Sequence, residues 1–307
     1  MQEQIHTLKR MTIRQLKENK AMKKILFTLS VCGLCLFSCT KPDDGGSKQE
    51  PGPDPVVDEF VPELPADNSA EGVRHLVMLT DFTGSGCPGC PFLLQAFDKL
   101  FEDKDLYSNV IMTAAHQYNA DDPAYYADTK LASSFSIKQF PTLVINLSEV
   151  YDTQVTVQSN LKKWIGDAIA QDARAGICAS VAVKDDVLYV NTQIKALEDN
   201  TYRVGAWLVE DGIYAVQEGT ANEKYYTHDA CLRVAESKVV NSYQGLRVGD
   251  LKKGQTADKL FKIDLDNKWK RENCRVVVFV STKTASGDYA VTNVAATKSL
   301  NDKVSYK

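Results

Sequence analysis

The 307-residue chain lacks a long apolar run and lacks an excess of basic residues. Its longest largely apolar stretch, residues 25–37, falls short of the roughly 20 residues that a membrane-spanning helix needs. The formal net charge is −4, and residues 1–38 hold seven basic and two acidic residues, so the remaining chain carries 29 basic and 38 acidic residues. That balance argues against nucleic acid as a partner, because phosphates require a basic face.

The composition that remains is that of an ordinary globular protein. Hydrophobic residues make up 44% and charged residues 25% of the chain, which excludes a disordered or collagenous protein. A chain of this length is expected to form about two domains.

The N-terminus has the pattern of an export signal. Met22-Lys-Lys precedes the apolar stretch, which ends at Ser38-Cys39, so we predict a leader over 1–38 with its true start at Met22. Leu36 to Cys39 resembles the lipobox of bacterial lipoproteins. This resemblance implies a lipid on Cys39, and the alternative is a short uncleaved anchor.

Residues 39–70 are expected to be a flexible tether. The stretch 41–70 holds six of the ten prolines and several acidic residues, so it has too little apolar surface to fold. Thr40 after the lipidated cysteine resembles lipoproteins sent to the outer membrane. The Asp43-Asp44 pair resembles surface-export signals, which leaves a periplasmic and a cell-surface location both open.

A Cys-Pro-Gly-Cys motif, Cys87 to Cys90, follows an apolar run of strand length at residues 75–82. A helix is predicted to begin at Pro91, because Leu93, Phe97 and Leu100 recur on one helical face. Two cysteines at a helix N-terminus form a candidate redox pair, since the helix dipole stabilises a thiolate there.

Two further features resemble thioredoxin. Asp81 lies six residues before Cys87, and the stretch 137–145, which contains Phe140-Pro141-Thr142, is similar to the cis-proline loop of that family. The resemblance implies an α/β thioredoxin-like domain over 71–173. It also implies Cys87 as nucleophile, Cys90 as resolving thiol and Asp81 as proton acceptor, with a substrate-aligning loop at Phe140, Pro141 and Thr142.

Departures from that family leave the direction of electron transfer open. Gly86 stands where the family has Trp, and the central dipeptide is Pro-Gly rather than Gly-Pro. The reduction potentials of proteins with Cys-x-x-Cys motifs range from about −270 to −120 mV, so reductase, isomerase and oxidase roles all remain possible. Pro91 after the motif excludes c-type haem attachment, and no second Cys pair has zinc spacing, so we expect no metal and no cofactor.

The remaining pattern of this domain indicates strands at 109–115 and 142–147 and helices at 124–135 and 161–169. His116, Tyr118 and Asp122 follow the second strand and could flank the disulfide. A histidine in a loop is more often a bystander than a functional residue.

Residues 174–307 are predicted to form an all-β immunoglobulin-like sandwich, because about seven strand-length runs are separated by turn signals. Cys178, Cys231 and Cys274 form an odd set, so at most one bridge forms among them within the chain. We predict a Cys231–Cys274 bridge, since one residue lies in a long connection and the other opens an edge-like strand. Cys178 would then be a buried, inert thiol.

The lipobox, the Cys-x-x-Cys-Pro motif, the cis-proline-like loop, the stretch from Tyr225 to Arg233 and a late strand at Cys274 together resemble the outer membrane protein 28 family of Bacteroidota lipoproteins. The resemblance implies an outer-membrane lipoprotein and leaves its biochemical role open.

Two functions are compatible with this pattern. The first is a thiol-disulfide oxidoreductase whose partners are protein thiols or disulfides of the envelope or exterior. The second is a surface binding or adhesion protein in which Cys87–Cys90 is a permanent clip. The sequence does not indicate an oligomeric state.

Overall fold

The structure, a computed structural model, describes residues 59–66, 72–152, 157–240 and 242–306. The predicted leader 1–38 and the lipidation site Cys39 lie outside the described residues. Of the predicted tether 39–70, only residues 59–66 are described.

The first part of the described chain alternates strands and helices. In order they are β1 (Val77–Thr83), α1 (Pro91–Leu100), α2 (Lys104–Tyr107), β2 (Val110–His116), α3 (Lys130–Ser134), β3 (Thr142–Ile145), β4 (Glu149–Asp152) and α4 (Val157–Ile169). Strand β1 is central, with β2 parallel on one side and β3 antiparallel on the other. All seven of its residues are buried, as expected of an apolar strand covered on both faces.

Helices α1 and α4 cover one face of these strands. The helical face predicted from sequence, Leu93, Phe97 and Leu100, is buried in one apolar cluster with Leu161 and Ile165 of α4. Burial of this cluster is the main favourable contribution to the packing of the two helices, because each buried Leu or Phe side chain contributes about 1.5–3 kcal/mol.

The predicted helix over 124–135 is mostly wrong, since only α3 is helical there. The Tyr126 amide donates to the His116 carbonyl oxygen, and the Gln117 side chain donates to the carbonyl oxygens of Tyr126 and Asp128. These long-range hydrogen bonds use the backbone groups that a helix would need, so the segment is irregular until Lys130.

The second part is rich in strands, as predicted. The strands are β5 (Ala175–Lys184), β6 (Val187–Ala196), β7 (Asn200–Glu210), β8 (Ile213–Tyr214), β9 (Thr227–His228), β10 (Cys231–Glu236), β11 (Leu246–Leu251), β12 (Thr256–Asp264), β13 (Cys274–Lys283), β14 (Tyr289–Ala296) and β15 (Asp302–Val304). Strands β9, β10, β11 and β15 were not predicted from the sequence.

Most of the strands belong to two sheets within the described residues. The wider sheet has the order β14-β13-β7-β10-β2-β1-β3-β4, with β11 paired to β7, and the narrower sheet has the order β12-β6-β5-β15. Residues of β5, β6, β12 and alternate residues of β7 and β13 share one buried core. The opposite face of β7, with Trp207 and Val209, packs in a second core with Met78 and Phe82 of β1.

The wider sheet passes from the first part into the second without a break. Strand β10 lies parallel to β2 with Cys231 opposite Ala114, and the Ala114 amide donates to the Ala230 carbonyl oxygen at 2.8 Å. The domain boundary predicted at 173/174 falls between α4 and β5, yet the sheet and one core extend across it. The division into domains and the immunoglobulin-like topology stay predictions.

Candidate functional site

Cys87 and Cys90 form a disulfide at the junction of β1 and α1, with an S–S distance of 2.11 Å. Tight turns set this geometry, because the Cys87 amide donates to the Gly84 carbonyl oxygen and the Cys90 amide donates to the Cys87 carbonyl oxygen. Cys90 is the N-cap residue of α1, and Pro91 occupies the first turn. The positive end of the helix dipole therefore lies at the pair and would stabilise a thiolate after reduction.

The predicted cis-proline loop lies against the motif. The Phe140–Pro141 peptide bond is cis, and a Cβ atom placed on Gly89 would lie 3.7 Å from both the Phe140 carbonyl oxygen and Pro141 Cδ. Thr142 is buried, and its hydroxyl donates to the Gln139 carbonyl oxygen at 2.8 Å. The loop thus presents the Phe140 carbonyl group and the Pro141 ring to the motif, while the Thr142 hydroxyl is bound within the loop.

The loop after β2 holds the other side of the motif. The Asp122 carboxylate accepts a hydrogen bond from the Ser85 amide at 2.6 Å, and the Asn119 side-chain oxygen accepts one from the Gly86 amide at 3.1 Å. A Cβ on Gly86 would lie 2.9 Å from the Asn119 side chain. A side chain at position 86 would therefore require the Asn119 side chain to move.

Gln217, from the second part, also contacts the motif, and no signal in the sequence indicated it. Its side-chain amide nitrogen lies 2.9 Å from the Cys87 carbonyl oxygen and 3.1 Å from the Ser85 carbonyl oxygen. The backbone amide of Glu218 also donates a hydrogen bond to the Ser85 carbonyl oxygen, at 2.8 Å. Cys87 and Cys90 are each only 1% exposed. The disulfide is therefore covered by residues of its own chain.

Asp81, the predicted proton acceptor, is buried on β1 and only 2% exposed. Its Oδ1 has no hydrogen-bond partner among the described residues. Burial raises the pKa of Asp81 to about 7. A carboxyl group with this pKa can hold or release a proton near neutral pH, as a general acid or base requires.

Behind the motif lies a buried polar cluster that the sequence showed only in part. His116 Nδ1 lies 2.8 Å from Asp122 Oδ2, and His116 Nε2 lies 3.6 Å from Cys231 Sγ. The ring of His228 packs edge-on against that of His116, with centroids 4.9 Å apart. Asp122 connects this cluster to the motif through its hydrogen bond with Ser85.

The protonation states within this cluster follow from burial and hydrogen bonding. Burial opposes ionisation of Asp122, but the hydrogen bond and electrostatic interaction with His116 and hydrogen bonds from two backbone amides hold the pKa of Asp122 well below its usual range. Burial raises the pKa of the Cys231 thiol far above its usual range. Cys231 is therefore a neutral thiol, although its neighbours resemble those of a catalytic cysteine.

The predicted Cys231–Cys274 bridge is absent, and both residues are free, buried thiols, as is Cys178. Cys231 and Cys274 lie on the two strands that flank β7, and each pairs with Glu210 of β7. Two strand spacings of about 4.8 Å separate them, which exceeds the Cα distance that a disulfide tolerates. Burial raises the pKa of Cys274 to about 12.

Among the described residues, no group of three or more His, Cys, Asp and Glu side chains is placed to hold a metal ion. No described helix is long and apolar enough to cross a membrane. The geometry thus defines a β-rich protein with a buried disulfide at a strand-to-helix junction.

Comparison with known proteins places this chain in a family. The family model described as outer membrane protein Omp28 matches residues 128–303, which is more than half of the chain. The chain therefore belongs to the Omp28 family and is an outer-membrane protein. The matched residues include Pro141, Gln217 and Cys231 but not Asp81 or the Cys87–Cys90 pair, so the family match does not cover the disulfide.

Solved structures align with this chain at low sequence identity. HBP35 of Porphyromonas gingivalis aligns with a TM-score of 0.61 at 16% identity over 75% of this chain and 76% of its own. The protein AGR_C_4864 of Agrobacterium tumefaciens aligns with a TM-score of 0.44 at 15% identity over 73% and 94% of the two chains. No curated protein matches the sequence.

Proposed function

We propose that this outer-membrane protein carries out thiol–disulfide exchange on proteins of the cell envelope or exterior, held to the membrane by a lipid on Cys39. The observation that carries the proposal is the Cys87–Cys90 disulfide at the N-terminus of α1, with the cis Phe140–Pro141 loop against it. The central β1 between β2 and β3, with two helices on one face, supports a thioredoxin-like unit.

In the proposed exchange, the reduced pair acts on a substrate disulfide. The Cys87 thiolate attacks one substrate sulfur, which forms a mixed disulfide and releases the other substrate sulfur as a thiolate. Asp81 accepts the proton of the Cys90 thiol, and the Cys90 thiolate then attacks Cys87 Sγ. This second attack breaks the mixed disulfide and releases the remaining substrate sulfur as a thiolate. The substrate gains two electrons, its two thiolates take one proton from Asp81 and one from water, and Cys87–Cys90 becomes the disulfide seen in the structure.

Trapping of the mixed disulfide tests the proposal. Cys90→Ser retains the nucleophile and removes the resolving thiol, so we expect adducts with envelope proteins on non-reducing gels. Cys87→Ser is the matched control, because it retains Cys178, Cys231 and Cys274 but lacks the nucleophile. If Cys90→Ser forms no more adducts than Cys87→Ser, the exchange proposal is wrong.

A second candidate is a binding protein in which the disulfide is a permanent clip. The observation that favours it is the burial of both cysteines beneath Gln217 and Glu218. Equilibration of the protein in dithiol buffers of graded potential, followed by mass spectrometry of alkylated thiols, distinguishes the two. An exchange protein titrates reversibly within about −270 to −120 mV, whereas a clip resists reduction until the fold is lost.

A further inference from the structure

The segment Ala215–Thr220, hereafter the strap, crosses the disulfide motif. We infer that the strap determines the substrate class of the disulfide, because it excludes protein thiols more strongly than small thiols until it is displaced. The inference rests on the proposed exchange function. Its evidence is the set of contacts that the strap makes with the motif and with the elements on either side.

The centre of the strap binds backbone carbonyl groups of the motif. Gln217, 1% exposed, places its amide nitrogen within hydrogen-bond distance of the Gly84, Ser85 and Cys87 carbonyl oxygens. An amide nitrogen has two hydrogens, so it serves two of these oxygens at a time. The strap is therefore hydrogen-bonded to the residue that carries the nucleophilic sulfur.

Gly219 brings the strap into direct contact with the exposed tip of the motif. Its φ is +81°, and a Cβ atom there would lie 2.1 Å from the Pro88 carbonyl oxygen. Only glycine permits this approach, because any side chain would overlap the Pro88 backbone. A protein substrate that reaches Cys87 over Pro88 would have to take the place of this backbone.

Both ends of the strap are held. At its start, the Ala215 amide donates to the Tyr226 carbonyl oxygen, and His228 Nε2 lies 3.1 Å from the Ala215 carbonyl oxygen. After its end, the Lys224 ammonium and the Tyr225 hydroxyl bind the Asp98 carboxylate of α1, at 2.7 and 2.6 Å. The strap is thus tied to the same helix that begins at the disulfide.

One feature of the strap favours its opening. Gln217 Oε1 is buried and has no hydrogen-bond partner among the described residues. A buried acceptor without a partner gains a hydrogen bond with water when the segment opens, so the strap is closed less firmly than its contacts alone imply. The disulfide is therefore shielded by a segment that can be displaced without global unfolding.

The test compares reduction by a small and by a large dithiol. The full-length protein is treated with dithiothreitol or with reduced thioredoxin, and the alkylated Cys87 peptide is quantified by mass spectrometry over time. Gly219→Ala should raise the rate with the protein dithiol roughly tenfold or more and change the rate with dithiothreitol less than about threefold.

Gly254→Ala is the matched control, because Gly254 has a similar φ of +87° but no atom within 4 Å of its Cβ position. It carries the same backbone cost and should leave both rates unchanged. Gln217→Met is the second variant, since it preserves side-chain size and removes both donors without a clash. It should also raise the rate with the protein dithiol selectively, and circular dichroism verifies that each variant is folded.

The outcomes separate the two proposals. If thioredoxin reduces the unaltered protein as fast as it reduces Gly219→Ala and Gln217→Met, the strap is no barrier, and the inference is overturned while exchange remains supported. If neither dithiol reduces the disulfide in any folded variant, the exchange function fails, and the inference fails with it.

Discussion

At the scale of single residues, the pKa of Asp81 predicts the direction in which stability changes with pH. Burial raises its pKa from 3.8 to about 7. Between these values the unfolded chain has lost the proton while the native chain retains it, so stability falls as pH rises from about 4 to 7. Asp81→Asn should remove this slope and stabilise the protein at pH 8 by roughly 2–4 kcal/mol.

Urea unfolding at a series of pH values measures the effect. Asp264→Asn is the control, because Asp264 is exposed at the end of β12 and should leave the slope in place. A slope that survives in Asp81→Asn would show that Asp81 does not hold its proton in the native state.

Short motifs carried the residue-level predictions of geometry, and the roles assigned to those residues stay predictions. The Cys87–Cys90 pair, the cis bond before Pro141 and the buried Asp81 all lie where their local pattern placed them. Gln217 and Gly219 were missed because a glutamine and a glycine in a connection have no local signal. Their role depends on contacts with residues about 130 positions earlier.

At the scale of elements, strands with a local sequence signal were predicted and strands formed by long-range pairing were missed. Strand β1 was predicted within two residues of its bounds, because the apolar run at residues 75–82 marks it. Strand β10 was not predicted, because Arg233 and Glu236 interrupt its apolar pattern. This strand forms because it pairs with β7 and β2. The predicted Cys231–Cys274 bridge was wrong because β7 lies between those two cysteines.

Strand β7 has no room for an added side chain at Gly205. A Cβ atom on Gly205 would lie 2.3 Å from the Phe279 ring and 2.7 Å from Ser237 Cβ. Gly205→Ala therefore overpacks the sheet and should lower the free energy of unfolding by about 1–3 kcal/mol. Gly166→Ala, in α4 with open space at its Cβ position, should instead stabilise the protein by about 0.5–1 kcal/mol.

Chemical denaturation of the two variants measures both effects. Because both changes add the same methyl group, their opposite signs isolate packing from the intrinsic effect of replacing glycine. A Gly205→Ala variant as stable as the unaltered protein would mean that Phe279 moves aside without cost.

At the scale of the whole molecule, the continuous sheet predicts that the chain unfolds as one unit. Trp207 and Leu232 from the second part share a core with Met78 and Phe82 from the first. Removal of residues 174–307 exposes this face of β1, so the fragment 71–173 should not fold alone. In the full chain, tryptophan fluorescence and far-ultraviolet circular dichroism should report coincident urea transitions.

The fragment provides the decisive comparison, because the sequence indicated a separate domain over the same residues. Its remaining core is the cluster between β1, α1 and α4, which covers one face of the strands only. We expect a broad, non-cooperative urea transition and binding of a hydrophobic dye. A sharp transition of the fragment, or two separate transitions in the full chain, would mean that the first part folds without the second and that the shared sheet forms only afterwards.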